Sequence, residues 1–176
     1  MRKLLVLGFV VALAACGKPK SNDPPPPQPS TGAPIAFEAK SFKPGADRKG
    51  QVDLKAYNFS DQQIASYWLL FRYTDASGAV LKVQPGTPFE KDYDFMSLTG
   101  GRYVCNPKRW CNVTVKNLNV PDQTAKVEVL ARSVRVIKDG KVEDKPLFEL
   151  PGMDWPSEPA STTPGSTAPA GSGSAG

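Results

Sequence analysis

Apolar and polar residues alternate along much of the chain between Ile35 and Trp155, and that alternation predicts strands. Val52, Leu54 and Ala56 are interleaved with Asp53, Lys55 and Tyr57, which sets three apolar side chains on one face of a half-buried strand. Val113 and Val115 repeat the device, as do Val127, Val129 and Ala131. After Ala131 the apolar phase slips to Val134 and Val136, so this long strand is predicted to carry a bulge near Arg132 and Ser133, or to bend there between two sheets. Lys138-Asp139-Gly140-Lys141 then supplies an Asp-Gly turn that returns the chain as a hairpin through Val142 to Phe148.

The stretch Ile64 to Tyr73 breaks the alternation, because Tyr67-Trp68-Leu69-Leu70-Phe71 is apolar on both faces. Such a run predicts a central strand covered on both sides, with Trp68 as its large core aromatic. The strand stops at Asp75-Ala76-Ser77-Gly78, where glycine is available for positive φ, and resumes at Val80, Leu81 and Val83. From Gln84 to Val104 there is no clear strand period, which marks either a functional loop or an element that the pattern hides. About seven short strands without a helical period predict an all-β fold, an antiparallel immunoglobulin-like β-sandwich. A small barrel is the rival architecture.

Both ends of the chain depart from this pattern. Leu4 to Ala15 is an apolar run of twelve residues behind Arg2 and Lys3, closed by Leu13-Ala14-Ala15-Cys16. As a helix it would span roughly 18 Å against a hydrocarbon core of about 30 Å, too short for a permanent span. The basic start, short apolar run and small residues before a cysteine resemble the signal peptide and lipobox of bacterial lipoproteins. The resemblance implies diacylglyceryl transfer to Cys16, cleavage after Ala15, and attachment to membrane lipid through the acylated cysteine. Gly17, rather than Asp, follows Cys16, which by the same resemblance favours the outer membrane.

Residues 17–34 are then polar and proline-rich, with Pro24 to Pro27 consecutive. They read as a tether reaching up to about 55 Å if extended, or about 23 Å as a flexible coil. Residues 156–176 consist of Ser, Thr, Pro, Gly and Ala with the single acid Glu158, and have nothing large to bury, so a disordered tail is expected. The expected division is a signal peptide at 1–15, a lipidated Cys and disordered linker at 16–34, the sandwich at 35–155 and the tail at 156–176.

Charge and chemistry narrow the function classes. The net charge of +5 falls to +3 once Arg2 and Lys3 are removed, and no basic run gathers on one face, so nucleic acid is not an expected partner. There is no histidine, which removes His-based triads and His-ligated metal, and two cysteines do not make a structural zinc set. No cofactor or metal is expected. With Cys16 assigned to lipid, Cys105 and Cys111 remain as a disulfide pair for an oxidising compartment, the alternative being two free buried thiols.

Asp92 and Asp94 beside Glu90 have the spacing of a calcium loop. Counted from Asp92, however, Ser97 stands where the loop needs Gly and Tyr103 where it needs Glu, so a solvated acidic turn is the expectation. Around the predicted bridge, Arg102, Tyr103, Lys108, Arg109 and Trp110 mix cations with aromatics and form the candidate binding loop. Its structural alternative is that Tyr103 and Trp110 cover the disulfide.

Asn58-Phe59-Ser60-Asp61 as a turn, a strand, then Phe71-Arg72-Tyr73-Thr74-Asp75 and a glycine turn resemble the FxLYD-type extracellular domain of bacterial lipoproteins. Phe71 and Asp75 fit the pattern, while Tyr73 and Thr74 stand where it has Leu and Tyr. The resemblance implies a sandwich outside the cytoplasm and no particular activity. The expected role is non-enzymatic: binding, assembly or structure in the cell envelope, with an envelope protein or polymer as partner. The alternative is a carboxylate-dependent enzyme acting on an envelope polymer.

Overall fold

In the computed structural model, which describes residues 23–152 and 154–156, the alternating stretches become strands and no α-helix forms among them. One sheet has three strands, ordered β1 (Ile35–Lys43), β2 (Gly45–Asn58) and β5 (Trp110–Val120). The other runs β4 (Asp94–Thr99), β3 (Ile64–Thr74), β6 (Lys126–Lys138), with the short β7 (Lys141–Val142) and β8 (Phe148–Glu149) both pairing with β6. Every strand pairing is antiparallel. The chain changes sheet between β2 and β3, between β4 and β5 and between β5 and β6, which gives an immunoglobulin-like sandwich rather than a barrel. Cys16 and residues 157–176 lie outside the described residues.

Register follows from the apolar phase. Val52 pairs with Val115 and Leu54 with Val113, so the inward face of the smaller sheet is aliphatic and buried. Against it, β3 turns Tyr67, Leu69, Phe71 and Tyr73 inward, and β6 adds Val127, Ala131, Val134 and Val136. Each such large side chain contributes about 1.5–3 kcal/mol on burial. The predicted bulge is present: Trp68 pairs with Ser133 and Leu69 with Ala131, leaving Arg132 as the extra residue. The Asp-Gly hairpin also forms, with Asp139 and Gly140 at φ 49° and 76°, the positive pair that a type I′ turn requires.

One open alternative is decided and two expectations about strands change. The stretch Gln84 to Val104 hides β4 and a short 3-10 turn over Gly101–Tyr103. The pattern missed β4 because an acid, Asp94, takes the inward phase with Met96 and Leu98, while Phe95 stands exposed on the other face. Val80 to Val83 forms no strand, only single bridges from Val80 to Thr74 and from Val83 to Lys91. Trp68 is half-buried on the outer face of β3, since the inward phase belongs to the odd-numbered residues.

The described part of the proline-rich segment does not stand free of the domain. Pro26, Pro27 and Pro29 lie at the seam where β1 faces residues 129–131 of β6, and Ala33 is fully buried. The Asp23 carbonyl accepts from Trp110 Nε1 at 3.0 Å, and Lys55 forms an ion pair with the Asp23 carboxylate.

Candidate functional site

The residues expected to form a binding loop are placed around a real disulfide. Cys105 and Cys111 are bonded, with α-carbons 5.4 Å apart, inside the span that bridging allows. Cys105 is buried and its backbone exchanges hydrogen bonds with Ile64, so the bridge ties β5 to the start of β3. The surrounding side chains do not converge. Tyr103 packs on the core and its carbonyl accepts from Tyr67 Oη at 2.7 Å, while Arg102 lies over the Tyr103 ring at 4.7 Å. Trp110 instead lies on the outer face of the smaller sheet, edge-on to Tyr57 at 5.3 Å and beneath the Lys55 ammonium at 4.2 Å.

Lys108 is held by the Phe59 carbonyl and by Asp61, and Arg109 is exposed. Nearby Asn58, the first residue of one Asn-x-Ser triplet, is wholly buried. Its amide donates to the Gln62 and Cys105 carbonyls, and its oxygen accepts from Ser60. That side chain is structural.

A cleft that the sequence did not announce opens at the end of the sandwich, with a volume of about 600 Å³. One wall is the strand end Asn119 to Gln123, a second is Ala46 and Asp47 at the irregular start of β2, and the third is a finger formed by residues 81–91. The finger closes through the two backbone bonds between Val83 and Lys91, at 2.8 and 3.2 Å. Inside it Thr87 bonds the Gln84 carbonyl, and Glu90 accepts from the Gly86 amide at 2.8 Å. Gly86 sits at φ 74°, so a side chain there would strain the turn. These internal bonds hold Phe89 at the tip, 72 % exposed, where no packing favours a phenyl ring.

Leu81, Pro85, Val120 and Pro121 give the cleft its apolar surface, and Gln84, Gln123, Asp47 and Asp122 place polar groups around it. Lys82 is paired with Asp92, whose hydrogen bond and charge raise the pKa of that lysine. Asp47 and Gln84 keep positive φ values of 51° and 54°, an uncommon backbone for such residues and one seen at ligand-contacting turns.

The acidic residues expected as a solvated turn separate in space. Asp92 and Glu90 are exposed, but Asp94 is only 4 % exposed and lies between the sheets. It accepts from the Phe95 amide at 2.9 Å and from the Asn119 amide at 2.7 Å, joining β4 to β5 across the sandwich. Asn119 Oδ1 in turn accepts from the Arg48 amide, so this polar link underlies the cleft wall. Among the described residues no group of three or more Cys, Asp or Glu side chains converges as a metal site, and no helix is long and apolar enough to cross a membrane.

Comparison with protein-family models, with curated proteins and with solved structures gives no match to this chain.

Proposed function

We propose that the chain is a lipid-anchored envelope lipoprotein whose sandwich binds a partner without catalysis, through the cleft at the end of the domain. The observation that carries the reading is Phe89, held 72 % exposed by a finger whose hydrogen bonds serve no other evident end. An exposed aromatic beside an apolar cleft with peripheral amides suits an extended peptide or polymer segment that is gripped by ring contact and oriented by hydrogen bonds. The Leu13-Ala14-Ala15-Cys16 tetrad supports attachment of Cys16 to lipid, and such an anchor suits a partner in the envelope.

The alternative, a carboxylate-dependent enzyme, needs an acid whose pKa is lifted by desolvation beside a second, ionised one. Among the described residues Asp94 is the buried carboxylate, and the Phe95 and Asn119 amides occupy its oxygens. Asp47 and Asp122 line the cleft but are exposed to water.

One experiment addresses anchor and cleft together. A photo-crosslinking amino acid is placed at Phe89, and at Lys40 as an exposed control, in cells carrying either the native chain or Cys16→Ser. The native chain should fractionate with membranes and give an adduct from position 89 only, and Cys16→Ser should release the protein from the membrane fraction. Equal labelling from both positions would remove the cleft reading, and membrane retention of Cys16→Ser would remove the anchor.

A further inference from the structure

The outer face of the larger sheet carries a buried arginine that the cleft does not use. Arg132 is the extra residue of the β6 bulge, and a bulge re-aims the side chain it carries. Its side chain lies under the sheet's outer cover, leaving the residue 6 % exposed. Its Nε and Nη1 make no hydrogen bond among the described residues. A guanidinium keeps its charge at any pH a protein survives, so an unpaired buried one is an expensive feature unless something negative meets it.

Beside Arg132 is a slot of about 30 Å³, walled by Trp68, Leu70, Tyr93 and Phe95 and reached by Lys91. The space admits a group a little larger than a water molecule, and nothing the size of a sugar or a nucleotide. Two other cations lie on this face. Lys91 Nζ is 3.1 Å from Tyr93 Oη, and Arg72, next along this face, stacks on Trp155 at 4.3 Å with its own Nε unpartnered. The acid close by, Asp154, accepts from Tyr93 Oη at 3.0 Å and no bond joins it to Arg132.

From this geometry we propose an anion site centred on Arg132 that takes a single carboxylate group. The carboxylate accepts side-on from Nε–H, which has no partner among the described residues, and from Nη2 on the same edge of the guanidinium, and these bonds are the stronger, charge-assisted kind. Lys91 supplies a second positive charge at the entrance. The aromatic walls keep water away and favour a flat group over a tetrahedral one. The carboxylate is either a small free acid or one displayed by a peptide chain, and the site is independent of the cleft at the sandwich end.

The test follows the Arg132 Nε–H signal by nuclear magnetic resonance in the isotope-labelled full chain, the signal being assigned by its loss in Arg132→Lys. Sodium formate is titrated at constant ionic strength set with sodium chloride, alongside a short peptide with a free carboxy terminus and its amidated counterpart. Formate should shift the signal saturably with a millimolar-range dissociation constant, and Lys91→Gln should weaken that binding by roughly tenfold. Free-acid peptide binding at least about tenfold tighter than formate, with none by the amide, assigns the site to a displayed carboxylate; binding no tighter assigns it to free acids. A signal unmoved by formate and by peptide, or moved equally by chloride, overturns the proposal. Should Arg132→Lys not fold, through-bond correlation from the Arg132 backbone assigns the signal, and Lys91→Gln, a change at an exposed side chain, carries the charge test.

Discussion

Tyr67 and Tyr73 point into the same core from one strand, yet their hydroxyls are treated differently. Tyr67 Oη donates to the Tyr103 carbonyl, whereas Tyr73 Oη is buried with no partner among the described residues. A satisfied buried hydroxyl contributes about 0.5–1.5 kcal/mol, while an unsatisfied one is a net loss. Tyr67→Phe should therefore lower stability by about 1 kcal/mol, and Tyr73→Phe should leave it unchanged or raise it by up to about 1 kcal/mol. Urea denaturation of the two variants checks the ordering, and an equal loss in both would show that Tyr73 Oη is engaged. Asp94 and Asn58 make the same point for polar groups. Both look like solvent-facing turn residues in sequence and both are buried, because their partners, Asn119 and Cys105, come from distant parts of the chain. Asp53 is the opposite case, a half-buried acid on the outer face of β2 whose bonds from Thr114 and Ser41 tie three strands together and lower its pKa.

Among the elements, β2 and β5 are in tight contact at Gly50, where β2 is irregular. Register shifts fall between Gly45 and Gly50 and between Gly50 and Gln51, and a β-carbon at Gly50 would meet Val120 Cγ2 at 2.7 Å and the Leu118 carbonyl at 2.8 Å. The backbone oxygen cannot yield, so Gly50→Ala should destabilise by about 1–3 kcal/mol. A shift in the urea midpoint of Gly50→Ala smaller than that produced by Gly101→Ala, where a β-carbon meets nothing, would contradict the close approach. The bulge in β6 was legible because the apolar phase visibly slips after Ala131. Strand β4 was not, because burying Asp94 and exposing Phe95 inverts the usual signal. The disulfide was legible by counting cysteines, but the direction of Tyr103 and Trp110 away from each other was not.

At the scale of the whole molecule, the core between the sheets depends on neutral phenols. Burial raises the pKa of Tyr67 well above its ordinary value, and burial together with the charge of Asp94 does the same for Tyr73. The unfolded chain releases these protons near pH 10, before the folded one does. Stability is thus full below about pH 10 and declines as the pH rises through the interval up to the folded values. The urea midpoint should fall as the pH rises from about 10 to about 11, and by less in Tyr73→Phe; a midpoint independent of pH there would show that neither phenol titrates on unfolding. The sequence by itself determined what depends on near neighbours: period-two strands, a bulge, a hairpin turn, an all-β sandwich and a cysteine pair. Those features are encoded within a few residues of one another. The cleft with Phe89, the buried Asp94 and the unpaired Arg132 depend on connections that cross between sheets and on loops folding over an outer face. Only the tertiary structure decided them, because an isolated polar residue in a sequence carries no mark of which distant backbone will exclude water from it.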